Sequence, residues 1–209
     1  MNFARTAALM GALLTVWTSN ASALDYPSGF YVEGALGFAR IATTACETLP
    51  GTLGSQFDCN KDDASYELMV GWQPFKWAGI EAGYVNLGES RATGGGTSLT
   101  ASADGAVVAV TFTAPFAERI GLYGRVGAFI YEGELTGNLG IIPLPPSVTP
   151  PITEDETVPV IGLGFRWPLG DHLGIGLRWD RYFDVGNDAV FSGGQSDVDN
   201  FSARLMWNF

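Results

Sequence analysis

The chain ends on Asp197-Val198-Asp199-Asn200-Phe201-Ser202-Ala203-Arg204-Leu205-Met206-Trp207-Asn208-Phe209. From Phe201 onward every second residue is apolar or small. Ser202, Arg204 and Asn208 between them are polar, with Met206 the exception. A period of two puts alternate side chains on opposite faces of an extended strand, so this segment reads as a strand with one greasy and one polar face. It stops on an aromatic of the greasy face, whereas chain ends are usually frayed and solvated. The rest of the chain is therefore read as the barrel that this strand closes.

Residues 1–23 read as a secretory signal peptide. Arg5 lies in a short basic start, an apolar run extends from Ala7 to Trp17, and Ala21-Ser22-Ala23 forms an A-x-A cleavage site. The run is short of the roughly 20 residues that a spanning helix needs, and no other stretch approaches that length. Residues 24–209 are expected to leave the cytoplasm as one domain. Only 16% of the chain is charged, against roughly 25% in typical soluble domains. Its 28 glycines and 12% aromatics are a cue for a closed all-β fold. The net charge is −11, and removing Arg5 takes it to −12. Lys61 and Lys76 are the only lysines, which argues against a nucleic-acid partner. Cys46 and Cys59 form an even, closely spaced pair in an exported chain and are expected to be a disulfide. Such a bridge is worth on the order of 3 kcal/mol. A metal pair is the weaker reading, because no His or third Cys lies nearby.

Period-two stretches recur at about 29–39, 65–73, 77–87, 103–114, 120–135, 158–167 and 173–183, and the terminal strand makes eight. The connections alternate strictly between long and short. The short ones begin at Pro74, Pro115 and Pro168, and the long ones cover about 40–64, 88–102, 136–156 and 184–196. That asymmetry matches an antiparallel up-and-down transmembrane β-barrel of the bacterial outer membrane, with tight periplasmic turns and long extracellular loops. An even strand count puts both termini on the periplasmic side.

One face of these strands is expected to meet lipid. It carries no charge between the rims, with Trp72, Trp77, Trp167, Trp207 and Phe209 near the short turns and Tyr66, Tyr84 and Phe183 near the long loops. Two aromatic belts are the signature of the two interfaces. A soluble lipocalin-type barrel would invert the pattern. The other face carries Glu33, Glu67, Glu81 and Asp180, together with Arg125, Arg166, Arg178 and Arg204. Charges inside a narrow barrel have to pair, and eight strands leave only enough room for side chains. The lumen is expected to be a polar plug, with a narrow gated ion path as the alternative.

Val70-Gly71-Trp72-Gln73-Pro74, residues 80–88 (IEAGYVNLG), residues 122–128 (LYGRVGA), residues 178–186 (RWDRYFDVG) and the terminal strand occur in an order that resembles the OmpA-type outer-membrane β-barrel family. The resemblance covers essentially all of residues 24–209. It implies that the last strand is read by the barrel-assembly machinery, with Leu205, Trp207 and Phe209 at the recognised positions. It also implies acid–arginine pairs in the lumen, where Glu81 and Arg125 match positions of that kind. At the strand-six position where a family member has Glu, this chain has Arg166. Full-length relatives carry a periplasmic peptidoglycan-binding domain. This chain is expected to be the barrel alone.

No catalytic residue or cofactor is expected. A Ser/His hydrolase needs a histidine base, and the one histidine, His172, falls in a short turn, where it is read as a solvated residue. Asp62-Asp63, Glu154-Asp155-Glu156 and Asp197 with Asp199 offer oxygen ligands for Ca²⁺, but without the twelve-residue spacing of a known cage. The Gly94-Gly95-Gly96 run lacks a phosphate-loop context. Residues 40–64, 89–104, 132–157 and 181–199 carry −2, −1, −5 and −3, nearly all of the mature acidity. Such loops would favour cations, or divalent ions that bridge them to lipopolysaccharide. The expected role is structural, or one of surface interaction through these loops. Outer-membrane lipid and lipopolysaccharide are the expected partners, and the sequence names no external protein. The alternative is a narrow porin-like channel gated by the lumen Glu/Arg pairs.

Overall fold

The computed structural model describes residues 28–42, 58–60, 62–94, 97–117, 120–138, 152–186 and 196–209. The segment expected to be a signal peptide and Cys46 lie outside them. The strands are β1 (Gly29–Ala42), β2 (Asp58–Asn60), β3 (Asp62–Phe75), β4 (Ala78–Gly94), β5 (Thr97–Ala117), β6 (Ile120–Asn138), β7 (Ile152–Pro168), β8 (Leu173–Val185) and β9 (Ser196–Asn208). Apart from the three-residue β2, each pairs antiparallel with its sequence neighbours, and β1 pairs with β9 to close the ring. The fold is a closed eight-stranded antiparallel barrel. Closure satisfies every strand's backbone groups within the wall, which is what allows a sheet to sit in hydrocarbon.

Burial follows the period-two reading. In β3 alternate residues from Ser65 to Gln73 are buried, and Tyr66, Leu68, Val70 and Trp72 between them are exposed. Leu36, Leu68 and Leu205 are 73%, 65% and 56% exposed, as side chains that face lipid should be. At the short-turn end the outer surface carries Trp72, Phe75, Trp77, Phe116, Trp207 and Phe209, with Phe75 and Trp77 stacked at 5.8 Å.

The terminal strand is fastened at both edges. The Phe209 amide donates to the Phe30 carbonyl at 3.0 Å. The Asn208 amide donates to the His172 carbonyl at 2.7 Å. His172 Nδ1 lies 2.9 Å from the Asn208 carbonyl, and its ring stacks on Trp207 at 5.5 Å. His172 is exposed in the short turn, as expected, and is at the same time a clasp on the last strand.

Three of the expected loops contain strand. The loop expected at 136–156 is shortened at both ends, because β6 continues to Asn138 and β7 starts at Ile152. Residues 88–102, expected as a loop, are mostly strand, because β4 continues to Gly94 and β5 starts at Thr97. The loop expected at 40–64 contains β2, which pairs with β4 through Asp58↔Thr93, Cys59↔Ala92 and Asn60↔Arg91. Cys59 sits in this short strand. Above the rim both faces of a strand are wet, so hydrogen bonding continues with no apolar alternation to mark it.

Inside the wall, small residues make room for large ones. A Cβ on Gly71 would fall 2.0 Å from the Tyr31 ring, and the Tyr31 hydroxyl is held on Glu81 at 2.5 Å. Tyr31 cannot swing away without breaking that bond. Gly71→Ala is expected to destabilise the barrel by about 1–3 kcal/mol, the usual range for overpacking. The readout is a lower urea midpoint for loss of the folded, heat-modifiable band in detergent gels. Gly34→Ala, whose Cβ would meet nothing within 4 Å, is expected not to lower it.

Candidate functional site

The structure places Glu33, Glu67, Glu81, Asp180, Arg125, Arg166, Arg178 and Arg204 inside the barrel, each no more than 4% exposed. They come from seven strands. Glu33 is on β1, Glu67 on β3, Glu81 on β4, Arg125 on β6, Arg166 on β7, Arg178 and Asp180 on β8, and Arg204 on β9. β5 contributes Thr111 and Thr113 at its inner face instead of a charge.

Glu81 is the most heavily used acceptor. It takes hydrogen bonds from Tyr31 at 2.5 Å, Tyr123 at 2.6 Å and Arg166 Nη2 at 2.7 Å. Asp180 accepts from Arg125 Nε at 2.7 Å and also from Arg178 Nε. Arg178 reaches Glu67 through Nη2, and Glu67 also accepts from Asn200 at 2.9 Å. Arg204 pairs with Glu33. Four acids meet four arginines, so the cluster is neutral. Charge-assisted hydrogen bonds of this kind are about twice as strong as neutral ones.

Tyr123 sits among three of the arginines. The guanidinium carbons of Arg166, Arg204 and Arg178 lie 4.0, 4.8 and 5.9 Å from its ring centre. Cation–π attraction strengthens when both partners are out of water. The eight charges alone omit four polar members of the cluster. These are Tyr31, Tyr123, Asn200 and Ser65, whose hydroxyl donates to Asn200 at 2.6 Å. All four stand on the inner-face parity, and that parity was the available signal for them.

A second layer fills the rest of the lumen toward the long loops. It contains Ala39, Met69, Val85, Leu87, Val107, Ala109, Phe129, Tyr131, Val158, Val160, Tyr182, Val185 and Val198, so all eight barrel strands contribute. Met69, Val85, Val107, Phe129, Val160 and Tyr182 are fully buried. Phe129 stacks on Tyr131 at 5.2 Å and meets Tyr182 edge-on at 4.9 Å. The Tyr182 hydroxyl accepts from Arg125 Nη2 at 3.1 Å, joining the two layers. The expected polar plug is therefore only half of the filling. Its other half is an apolar core, because on the inner face charge is concentrated toward the short turns and gives way to Val, Met and aromatic residues beyond.

The remaining candidates sit outside this filling. Leu205, Trp207 and Phe209 face outward. Asp62 pairs with Arg40 at 2.7 Å, and Asp199 with Arg181 at 2.7 Å. Asp63 accepts from the Glu89 amide at 2.7 Å. Glu156 accepts from Tyr131 at 3.1 Å. The cysteine pair cannot be placed as a unit, because Cys46 lies outside the described residues.

The profile of the OmpA-like transmembrane domain family matches residues 27–209. No curated protein sequence matches the chain. Among solved structures, the chain is similar to Neisserial surface protein A, with 13% identity, 87% of this chain and 98% of that one covered, and a TM-score of 0.53. It is also similar to OprG of Pseudomonas aeruginosa (11% identity, 87% and 96% covered, TM-score 0.49). The Ail protein of Yersinia pestis is similar as well (11% identity, 87% and 99% covered, TM-score 0.47).

The Glu81 hub can be tested by comparing single and paired changes. Glu81→Leu removes the nearest carboxylate of Arg166 and the acceptor of two tyrosine hydroxyls and is expected to cost about 3–5 kcal/mol. Adding Arg166→Met restores charge balance in the lumen and is expected to recover part of that loss. Urea titration of the barrel in lipid vesicles, followed by tryptophan fluorescence, gives both values.

Proposed function

Because the chain belongs to the OmpA-like transmembrane domain family of outer-membrane barrels, we propose that it works as a closed, non-enzymatic barrel whose functional surface is the long-loop end. The observation that carries this reading is the doubly filled lumen. An ion crossing it would have to break the Glu81 and Asp180 pairs and then pass Met69, Val107, Phe129, Val160 and Tyr182, which are fully buried against one another. Moving a charge through such a layer is strongly opposed. Non-enzymatic action fits the commitment of the single histidine to the β9 clasp.

In this reading the short turns and both termini face the periplasm, and the acidic loops face outward. Divalent cations bridge those loops to lipopolysaccharide, and outer-membrane lipid surrounds the wall. The assembly machinery reads Leu205 and Trp207, on the outward face of β9, and Phe209, exposed just beyond its end.

A second reading, a narrow channel gated by the Glu/Arg pairs, draws on one feature. Arg125 Nη1, Arg178 Nη1 and Glu33 Oε2 are buried without hydrogen-bond partners among the described residues, so the ionic layer holds polar atoms that the resting pairing does not use. Planar-bilayer recording separates the two. The closed barrel gives no defined single-channel steps, and Glu81→Gln does not create them, because the apolar layer still seals the lumen. Regular steps in the wild type, or steps that appear with Glu81→Gln, would establish the channel.

The assembly role has its own test. Deleting Phe209 is expected to reduce insertion into the outer membrane of cells several-fold, while the purified chain still refolds in detergent. Equal insertion of the truncated and full chains would remove Phe209 from the signal.

A further inference from the structure

The barrel wall is uneven in height. β4, β5, β6 and β7 run for 17, 21, 19 and 17 residues. β8, β9, β1 and β3 run for 13, 13, 14 and 14. A tilted crossing needs about 9–11 residues, so the long strands continue past the rim as a sheet. One margin of that sheet is covered by β2, which pairs with β4. The other margin is β7. It pairs with β6 throughout 152–166 but meets β8 only from Val160 onward. Along 152–159 no strand lies on its outer side among the described residues. A strand margin presents unpaired N–H and C=O groups, which is where an extended peptide can add as a further strand.

The charge beside this margin has one sign. Asp104 on β5, Glu132 on β6 and Asp155 on β7 stand in one cross-strand row, with Glu134 two residues further along β6. Glu132, Glu134 and Asp155 are exposed. Like charges directly opposite each other weaken a sheet. The far side of the rim is built differently, because there Arg181, Asp199, Arg40 and Asp62 alternate in one row across β8, β9, β1 and β3. Those two arginines are paired within their own row, and Arg91 pairs with Glu89 at 2.8 Å. The acidic row therefore lacks a counter-charge among the described residues.

We propose that residues 152–159 of β7, flanked by Asp104, Glu132 and Asp155, form a docking margin for an extended, lysine- or arginine-rich segment of an external protein. The open margin supplies backbone pairing, and the acidic row supplies the preference for cations. A second copy of this chain is the wrong occupant, because it would bring an identical acidic row. The inference rests on the surface-interaction reading above and names the class of partner.

The test uses the full chain in lipid nanodiscs and a blocked synthetic octapeptide of alternating Lys and Thr. Controls are the Glu/Thr counterpart and a Lys/Thr version N-methylated at alternate residues. Binding is read by fluorescence anisotropy, and amide hydrogen exchange reports on 152–159. The Lys/Thr peptide is expected to bind and to slow exchange along 152–159, and the Glu/Thr peptide is not. N-methylation, and separately the double variant Glu132→Gln/Asp155→Asn, are each expected to weaken binding by about tenfold or more. The double variant should keep its heat-modifiable band. Equal binding of the N-methylated peptide would mean charge adhesion without strand pairing and would overturn the proposal. So would unchanged exchange along 152–159, undiminished binding by the double variant, or no binding at all. A barrel that conducts ions would end the closed-barrel reading and leave these binding results standing.

Discussion

The β1–β9 seam is the constraint on which everything else in this molecule depends. A sheet in hydrocarbon cannot leave a row of backbone groups unpaired, so the first and last strands must find each other across nearly the whole sequence. Their register runs from Tyr31↔Asn208 to Ala42↔Asp197. Gly37 allows the two backbones to close, because a Cβ there would fall 2.2 Å from the Phe201 carbonyl oxygen. The seam is also a long-range contact, and contacts of that kind make folding slow. β9 is further fastened through His172 and Phe209.

Once the seam is closed, the width of an eight-stranded barrel dictates what the inner face must do. The inner side chains have to fill the space with no bulk water to solvate them. The chain meets that demand in two chemically different ways. Near the short turns the charges cancel, four against four, and Tyr31 and Tyr123 supply hydroxyl donors and a ring face to the cluster. Toward the long loops packing replaces pairing, and Met69, Phe129 and Tyr182 fill the cross-section. Pairs such as Arg125–Asp180 are restricted to particular partners, and the apolar layer is restricted only by volume. The ionic layer is accordingly the part of the lumen that specifies one arrangement, and the apolar layer is the part that excludes water.

Much of this was legible from alternation alone. Strands such as β8, which reads Leu-Gly-Ile-Gly-Leu-Arg-Trp-Asp, carry the lipid face on odd residues and the lumen on even ones, and a one-residue slip would have exposed every charge to lipid. The three prolines at the short turns located the hairpins at that end. What alternation cannot show is who pairs with whom, because barrel shear brings together residues from different heights of the strands. Glu67 was readable as an inner-face acid, but its contacts with Arg178 and Asn200, 111 and 133 residues away, were not. The apolar inner layer was obscured for a related reason. Val85, Val107 and Val160 read like lipid-facing residues by type, and only their parity separated them. β2, only Asp58-Cys59-Asn60, is too short to show a period, and the upper parts of β4 and β5 were missed because Ser, Thr and Gly on both faces leave none to read, although the hydrogen-bond ladder continues through them.

The unequal strand lengths follow from the same logic once the membrane is left behind. Inside the bilayer each strand is held to a similar span by the apolar band. Above it that restraint disappears, and each strand ends where its local sequence stops supporting extension. β8 ends at a bulge between Tyr182 and Val185, with Asp184 in the left-handed region at a φ of 54°. Gly186, at a φ of 110°, follows, and its amide donates to the Tyr131 hydroxyl at 2.8 Å. That bond fastens the end of β8 to Tyr131 of the apolar layer. There the β7–β8 ladder ends while β7 is still running upward beside β6. Among the described residues, the margin of β7 along 152–159 is thus left open by where β8 bends, and the row of Asp104, Glu132 and Asp155 stands beside it.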